Sequence, residues 1–203
     1  MSLFITFEGG EGSGKSTQAR AVAKRLASCG LSVVLTHEPG GTLLGNRMRR
    51  WLKWGGELSP EVELFLFAAA RAQLVTEVIR PALEQGSIVI CDRFSDSTVA
   101  YQGYGRGLDL GLIEAINSAA SGGLSPDLVV LADMAVTHGL RRKRSKRDRF
   151  EREELAFHQR VREGYLKLAA ADPQRWLVVD ATLPRAQVQK LIWQRVEALL
   201  GRQ

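Results

Sequence analysis

Residues 9–17 read Gly-Gly-Glu-Gly-Ser-Gly-Lys-Ser-Thr, and these residue types at this spacing suit the holding of a polyphosphate. Gly9, Gly10, Gly12 and Gly14 let successive backbone N–H groups curl around an anion without Cβ clashes. A short apolar run, Leu-Phe-Ile-Thr-Phe, precedes the loop, and good helix formers follow it. This strand–loop–helix setting is what the pattern G-x-x-x-x-G-K-[ST] requires, and the helix start turns its dipole and unpaired donors toward the same anion. Lys15 can reach the outer phosphates as a point charge, and the Ser16 hydroxyl suits a Mg²⁺ ligand. Contacts to a nucleoside triphosphate are therefore expected along the run, from Glu11, Ser13 and Thr17 as well as from the glycines, Lys15 and Ser16.

Other residues qualify by type and setting. Asp92 follows the apolar run 87–91; it either holds Mg²⁺, directly or through water, or caps the next turn. Arg93 offers a planar fork to a second phosphate, or else a rim ion pair to Glu8 or Glu38. Phe67 and Arg71 are four apart on one helix and share a face. They could stack on a base and bond its edge or a phosphate, although composition alone reads Phe67 as core. Residues 101–107, Tyr-Gln-Gly-Tyr-Gly-Arg-Gly, are too polar and glycine-rich for a strand; they form a plain loop or one that wraps a nucleotide, with Gln102 reading a base edge. The three histidines are scattered and receive no role.

The elements that must position these groups alternate. Strands are expected at 3–7, 31–37, 87–91, 127–132 and 176–179. Helices are expected at 18–28, 43–53, 60–80, 110–121, 153–171 and 185–200. Ser59-Pro60-Glu61 is a strong helix start, Pro81 a stop, Asp109 an N-cap and Gly122-Gly123 a terminator. Leu44, Met48, Trp51 and Leu52 lie roughly on one face of the second helix. Five buried-looking strands alternating with helices imply an α/β fold, a five-stranded parallel sheet covered on both faces, in a single domain spanning 1–203. Ligands of such sheets bind beyond the carboxyl ends of the strands, which gathers Glu8, Glu38, Asp92, Arg93 and Asp133 on one rim.

Bulk composition narrows the class. No apolar run approaches the ~18 residues of a membrane span, and two cysteines at no metal-ligand spacing point to a reducing cytoplasm rather than a disulfide scaffold. Of 28 Lys+Arg and 22 Asp+Glu, eight and two fall in residues 141–152, leaving 20 of each elsewhere. A nucleic-acid binder spreads its charge along many phosphates. One basic segment between a strand and a helix instead suits a lid that brings arginines to phosphates. A kinase of another small acceptor, a phosphate-loop ligase and a nucleotide-dependent switch remain rival readings. The first two would lack the Phe67/Arg71 pocket; the third predicts steeply salt-dependent polynucleotide binding.

Four motifs together carry a family resemblance. Phe7-Glu8-Gly9-x-Glu11-Gly12-x-Gly14-Lys15, Glu38-Pro39-Gly40-Gly41-Thr42, Asp92-Arg93-Phe94-x-Asp96-Ser97-x-x-Ala100-Tyr101-Gln102-Gly103 and Asp148-Arg149-Phe150-Glu151 resemble the bacterial thymidylate kinases over nearly the whole chain. The resemblance implies a phosphate-loop nucleoside monophosphate kinase fold, transfer of the γ-phosphoryl of MgATP to dTMP, and a homodimer. It implies that Glu11 holds the 3′-hydroxyl, Phe67 stacks on thymine and Arg71 bonds its carbonyl edge. Thr98 and Gln102 then line the base, and Tyr101 crowds C2′. Arg49 and Arg93 grip the acceptor phosphate beside Glu38 and Pro39. Members with glycine at the position of Gly12 draw their transition-state arginine from the lid. Arg144 is the first choice here, with Arg142, which also belongs to the ATP site, and Arg149 behind it. His37 stands where an arginine is common, and the lid is about two residues short.

Overall fold

The computed structural model describes residues 2–142 and 148–201. Five strands, β1 (Leu3–Glu8), β2 (Val33–His37), β3 (Ile88–Asp92), β4 (Leu128–Asp133) and β5 (Trp176–Asp180), form one parallel sheet in the order β2-β3-β1-β4-β5. β1 is buried throughout, and its two-residue period splits it between two cores. Leu3, Ile5 and Phe7 pack with Val22, Leu26, Ile192 and Trp193. These come from α1 (Lys15–Ser28) and α9 (Arg185–Leu200). Phe4 faces the other side, edge-on to Phe94 with ring centroids 4.9 Å apart.

The caps expected at Ser59 and Asp109 form, and Thr42 supplies a further one. Thr42 accepts from Gly45 N at 2.9 Å to open α2 (Leu43–Trp54). Ser59 and Pro60 open α3 (Pro60–Leu74), and Asp109 accepts from Leu112 N at 2.8 Å to open α6 (Leu110–Ser121), which ends on left-handed Gly122. On α2 only Gly45 and Leu52 are buried; Leu44 and Trp51 face outward, so the expected apolar face is divided.

Two stretches depart from expectation. The helix does not stop at Pro81: a π-helical turn, Val75–Ile79, leads into α4 (Arg80–Glu84). The wide turn and Pro81's place in the first turn of α4 dispense with the N–H that proline lacks. Nor is 101–107 a loop. α5 (Ser95–Thr98) continues as a π-helical segment, Val99–Gly105. Its glycines serve close packing: a Cβ on Gly103 would press on Leu110 and one on Gly105 on Phe157. Two further elements flank the basic segment, α7 (Val136–Arg142) and a 3-10 turn, Phe150–Arg152, before α8 (Leu155–Ala171).

Candidate active site

The carboxyl ends of β1, β2 and β3 open into a cleft of about 470 Å³. Lys15 and Ser16, then Glu11, Arg49, Asp92 and Arg93, and also Phe67, Arg71, Thr98, Tyr101 and Gln102 line it. Glu38, Pro39 and His37 complete one wall, and Asp148 and Phe150 lie opposite the helix that carries Phe67. Phe67 is half-buried, 5.9 Å from the Phe150 ring. It therefore belongs to the cleft and not to the sealed core.

Each group is held by a nameable cause. Gly14 is left-handed (φ 87°) where the phosphate loop turns into α1. Lys15 Nζ donates to Gly10 O at 3.2 Å, its stem buried. Gly12, also at positive φ (71°), lies so close to α7 that a Cβ there would overlap the Gly139 carbonyl, while one on Gly139 would overlap the Glu11 carbonyl. The pair of glycines thus seats the root of the basic segment directly on the phosphate loop.

Arg93 is the centre of the charge arrangement. It is the non-glycine residue at positive φ (73°) among those described, a strained backbone kept where function demands it. Nη2 donates to Glu11 Oε1 (2.9 Å) and to the Tyr101 hydroxyl (3.0 Å), and Nη1 to Ser97 Oγ (3.1 Å) and to the Tyr165 hydroxyl (3.0 Å). Burial would lower its pKa, but Tyr101, Tyr165, Glu11 and Glu8 outweigh that and raise it well above the usual value. Arg49 donates to Pro39 O at 3.0 Å, and burial chiefly, with Arg93 adding to it, lowers its pKa.

Behind Arg93 lies fully buried Glu8. Its Oε1 accepts from Phe94 N (2.8 Å), and its Oε2 from Ser97 Oγ (2.5 Å) and the Tyr165 hydroxyl (2.9 Å). Burial first, then Asp96, pushes its pKa up to about 7, against the opposing pull of Arg93, Ser97 and Phe94 N. A carboxyl that binds its proton more tightly folded than unfolded stabilises the protein fully below the unfolded pKa of ~4.3, and that stabilisation is lost as pH rises through the folded value. Between about pH 4.5 and 7.5, wild type is therefore expected to lose roughly 3 kcal/mol relative to Glu8→Gln, read from urea unfolding of both proteins. A stability difference independent of pH would sink this assignment.

Arg71, which also lines the cleft, is the largest fully buried side chain. Its Nε and Nη2 reach Glu38 Oε2 at 3.0 and 2.7 Å, Nη2 also Thr98 Oγ1 at 2.8 Å, and Nη1 reaches Asn117 Oδ1 at 2.5 Å. Arg71 accordingly meets the cleft as a fixed donor. Gln102 is pinned by Glu63, its Nε2 donating to Glu63 Oε1 at 2.6 Å.

Asp92 does not cap the following turn, whose N-cap is Phe94 without a side-chain bond. Its Oδ1 is buried with no hydrogen-bond partner among the described residues, and the residue lines the cleft together with Ser16. An orphaned carboxylate oxygen in a cleft that a serine hydroxyl also lines fits a hard divalent cation that keeps several waters.

Of the lid arginines, Arg144 lies outside the described residues. Arg142 closes α7, where its Nη1 donates to Ala181 O at 3.1 Å. Arg149 is engaged by neighbouring protein groups: Nε donates to Leu52 O (3.1 Å), and Nη2 lies 2.7 Å from buried Glu63 Oε2. Asp148 holds Lys53 at 2.7 Å and accepts from Glu151 N, so the Asp-Arg-Phe-Glu motif closes one side of the cleft.

Sequence reasoning passed over Tyr165, Ser97, Asn117 and Glu63. Tyr165 recurs four residues after Val161, a spacing indistinguishable from core. Glu63 carried a usable signal, since it lies four residues before Phe67 and eight before Arg71 on one helical stripe.

Comparison with known proteins agrees with this geometry. The family model described as thymidylate kinase matches residues 7–192. Thymidylate kinases of Dehalococcoides mccartyi strain 195 and Thermomicrobium roseum are 57% and 53% identical to the chain, covering 98% and 100% of it and 98% of each relative. The crystal structure of thymidylate kinase from Ehrlichia chaffeensis superposes with a TM-score of 0.80 at 36% identity, over 96% of this chain and 98% of that one.

Proposed function

Because the chain belongs to the thymidylate kinase family, we propose that it transfers the γ-phosphoryl group of MgATP to dTMP, giving dTDP and ADP, as a single kinase domain. One observation supports this above the others: a single cleft is lined by Lys15 and Ser16 together with Phe67, Arg71, Thr98 and Gln102, and by Arg93 as well. Residues 9–17 hold the triphosphate. Phe67 stacks on the base, Arg71 and Gln102 read its edge, Tyr101 crowds C2′, and Glu11 meets the 3′-hydroxyl. Arg93 and Arg49 grip the acceptor phosphate beside Glu38 and Pro39. Ser16 and Asp92 are the residues that would hold Mg²⁺, which supplies charge neutralisation across the phosphates.

The chemistry is in-line displacement without a covalent intermediate, so positioning and charge neutralisation carry it. The acceptor phosphate is already an anionic nucleophile and scarcely needs a general base. Lys15 neutralises the donor side, Arg93 draws the acceptor oxygen into line, and a lid arginine meets the moving group while the closed segment excludes water.

The testing experiment is ADP release from MgATP with dTMP, dUMP, dCMP, dGMP, AMP and UMP in turn. The best acceptor is expected to be dTMP and UMP a poor one; equal use of AMP or UMP would overturn the reading. Phe67→Ala is expected to weaken dTMP binding by about 1–3 kcal/mol, the worth of an aromatic–base stack. Calorimetry returning an unchanged dTMP affinity would give Phe67 a packing role alone.

A homodimer is part of the same reading. α2, α3 and α6 pack side by side and expose Leu44, Trp51, Val62, Phe65, Leu110 and Leu112, an apolar surface suited to a second copy of the chain. Among the described residues no helix is long and apolar enough to cross a membrane, and Cys29 and Cys91 are free thiols. A cytoplasmic setting is part of the same proposal.

A further inference from the structure

Glu63 lies behind the cleft wall, buried completely, and touches no part of the cleft itself. Arg106 Nη2 lies 3.1 Å and Arg149 Nη2 2.7 Å from its Oε2. Its Oε1 takes the Gln102 amide at 2.6 Å, while Gln102, equally buried, lines the cleft beside Arg71. A carboxylate between two guanidinium groups only accepts hydrogen bonds, whereas a primary amide has one accepting end and one donating end. The contact with Glu63 therefore takes one of the two Nε2 hydrogens, turns the donating end of Gln102 toward Glu63 and leaves its carbonyl oxygen for the ligand. Arg71, locked by Glu38, Thr98 and Asn117, has donors alone, and one Nη1 hydrogen stays unused among these bonds.

We infer that Glu63 is a specificity-determining positioning residue: by fixing the Gln102 amide with its oxygen toward the cleft, it sets a donor–acceptor wall that accepts thymine and rejects cytosine. This deepens, and rests on, the reading that the base of dTMP occupies this part of the cleft. Thymine offers an O4 acceptor and an N3–H donor, which match Arg71 and the Gln102 oxygen. Cytosine offers an N4 amine and an N3 lone pair, which set donor against donor and acceptor against acceptor. A flipped Gln102 would remove the second mismatch, and Glu63 is what forbids the flip. Without it, amide rotation is a small local event.

The test is a double-mutant cycle read on selectivity, the ratio of kcat/KM for dTMP to that for dCMP, in wild type, Glu63→Gln, Gln102→Leu and the double variant. Glutamine at 63 can donate or accept, so Gln102 is satisfied either way round. Glu63→Gln is expected to lower the ratio about ten- to hundredfold, the scale of one unpaired buried polar group. Gln102→Leu is expected to lower it comparably, and adding Glu63→Gln to Gln102→Leu to change it no further. A merely supporting role would slow both acceptors together and leave the ratio at its wild-type value. That result in a folded Glu63→Gln protein, or a further tenfold loss in the double variant, overturns the inference. Should Glu63→Gln not fold, the unmodified enzyme decides. The Gln102 Nε2 protons are expected to exchange slowly with solvent and to keep their chemical shifts when dTMP is added; rapid exchange, or a large shift on dTMP binding, overturns it. A wild type that prefers another acceptor would instead remove the thymidylate reading, a failure distinct from both.

Discussion

Arg93→Ala is expected to lower kcat/KM for dTMP by about 10²–10³-fold, the cost of deleting one preorganised donor from a charge-stabilising cradle, while the KM for ATP changes little. The expectation follows from what surrounds the guanidinium. Four bonds, to Glu11, Tyr101, Ser97 and Tyr165, fix both terminal nitrogens and occupy all four of their hydrogens, so the guanidinium is already oriented, and an acceptor phosphate would meet its Nε hydrogen or take the place of Glu11 on Nη2. Buried Glu8 reinforces the arrangement through Ser97 and Tyr165. Arg93→Lys keeps the charge but loses the fork, and an activity between wild type and alanine is expected. Because the alanine variant leaves Glu8 and Glu11 without their cation, part of its defect is a stability loss, which thermal unfolding measures separately. Steady-state kinetics on protein still folded at the assay temperature makes the test. A loss below tenfold, or one confined to ATP, would show that another cation grips the acceptor.

The same network marks the limit of what the sequence discloses. The phosphate loop, the strand that ends in Asp92-Arg93, and the pairing of Phe67 with Arg71 were legible because each is a local pattern: glycine spacing, an apolar run with a polar end, an i,i+4 pair. The π-helical segment over Val99–Gly105 was not. Its glycines read as loop because glycine has poor helix propensity, and only tertiary contact with Phe157 and Leu110 makes their missing side chains useful. Tyr165 joins Arg93 across 72 residues and Glu63 joins Gln102 across 39, and no single-segment periodicity encodes such pairs. Arg149 illustrates the converse. Its basic surroundings suggested a phosphate contact, yet buried Glu63 holds it, because an unpaired buried carboxylate costs more than an exposed arginine gains.

The basic segment now yields a sharper expectation. Replacing Arg144 by alanine is expected to reduce kcat about 10³–10⁵-fold, the range for an arginine supplied to a phosphoryl-transfer transition state, with dTMP binding nearly intact. Three features of the molecule direct the choice. Gly139 seats α7 against Glu11 and Gly12, so the segment leaves the phosphate loop at a fixed point. Arg142, the last residue of α7, is engaged with Ala181 O beyond β5, and its loss should act mainly on ATP affinity. Arg144 follows two residues later in the chain and is the lid arginine that the family resemblance puts first. Arg149→Ala, by contrast, should cost stability and dTMP affinity, since it unpairs Glu63. An arginine at position 12 offers no substitute for Arg144: Gly12 has φ 71°, and any side chain there meets the Gly139 carbonyl. Gly12→Arg in the Arg144→Ala background is thus expected to lower activity further. Single-turnover phosphoryl transfer by Arg142→Ala, Arg144→Ala and Arg149→Ala separates these roles. If none slows the chemical step tenfold while polynucleotide binding collapses in all three, the segment is a nucleic-acid contact and not a lid.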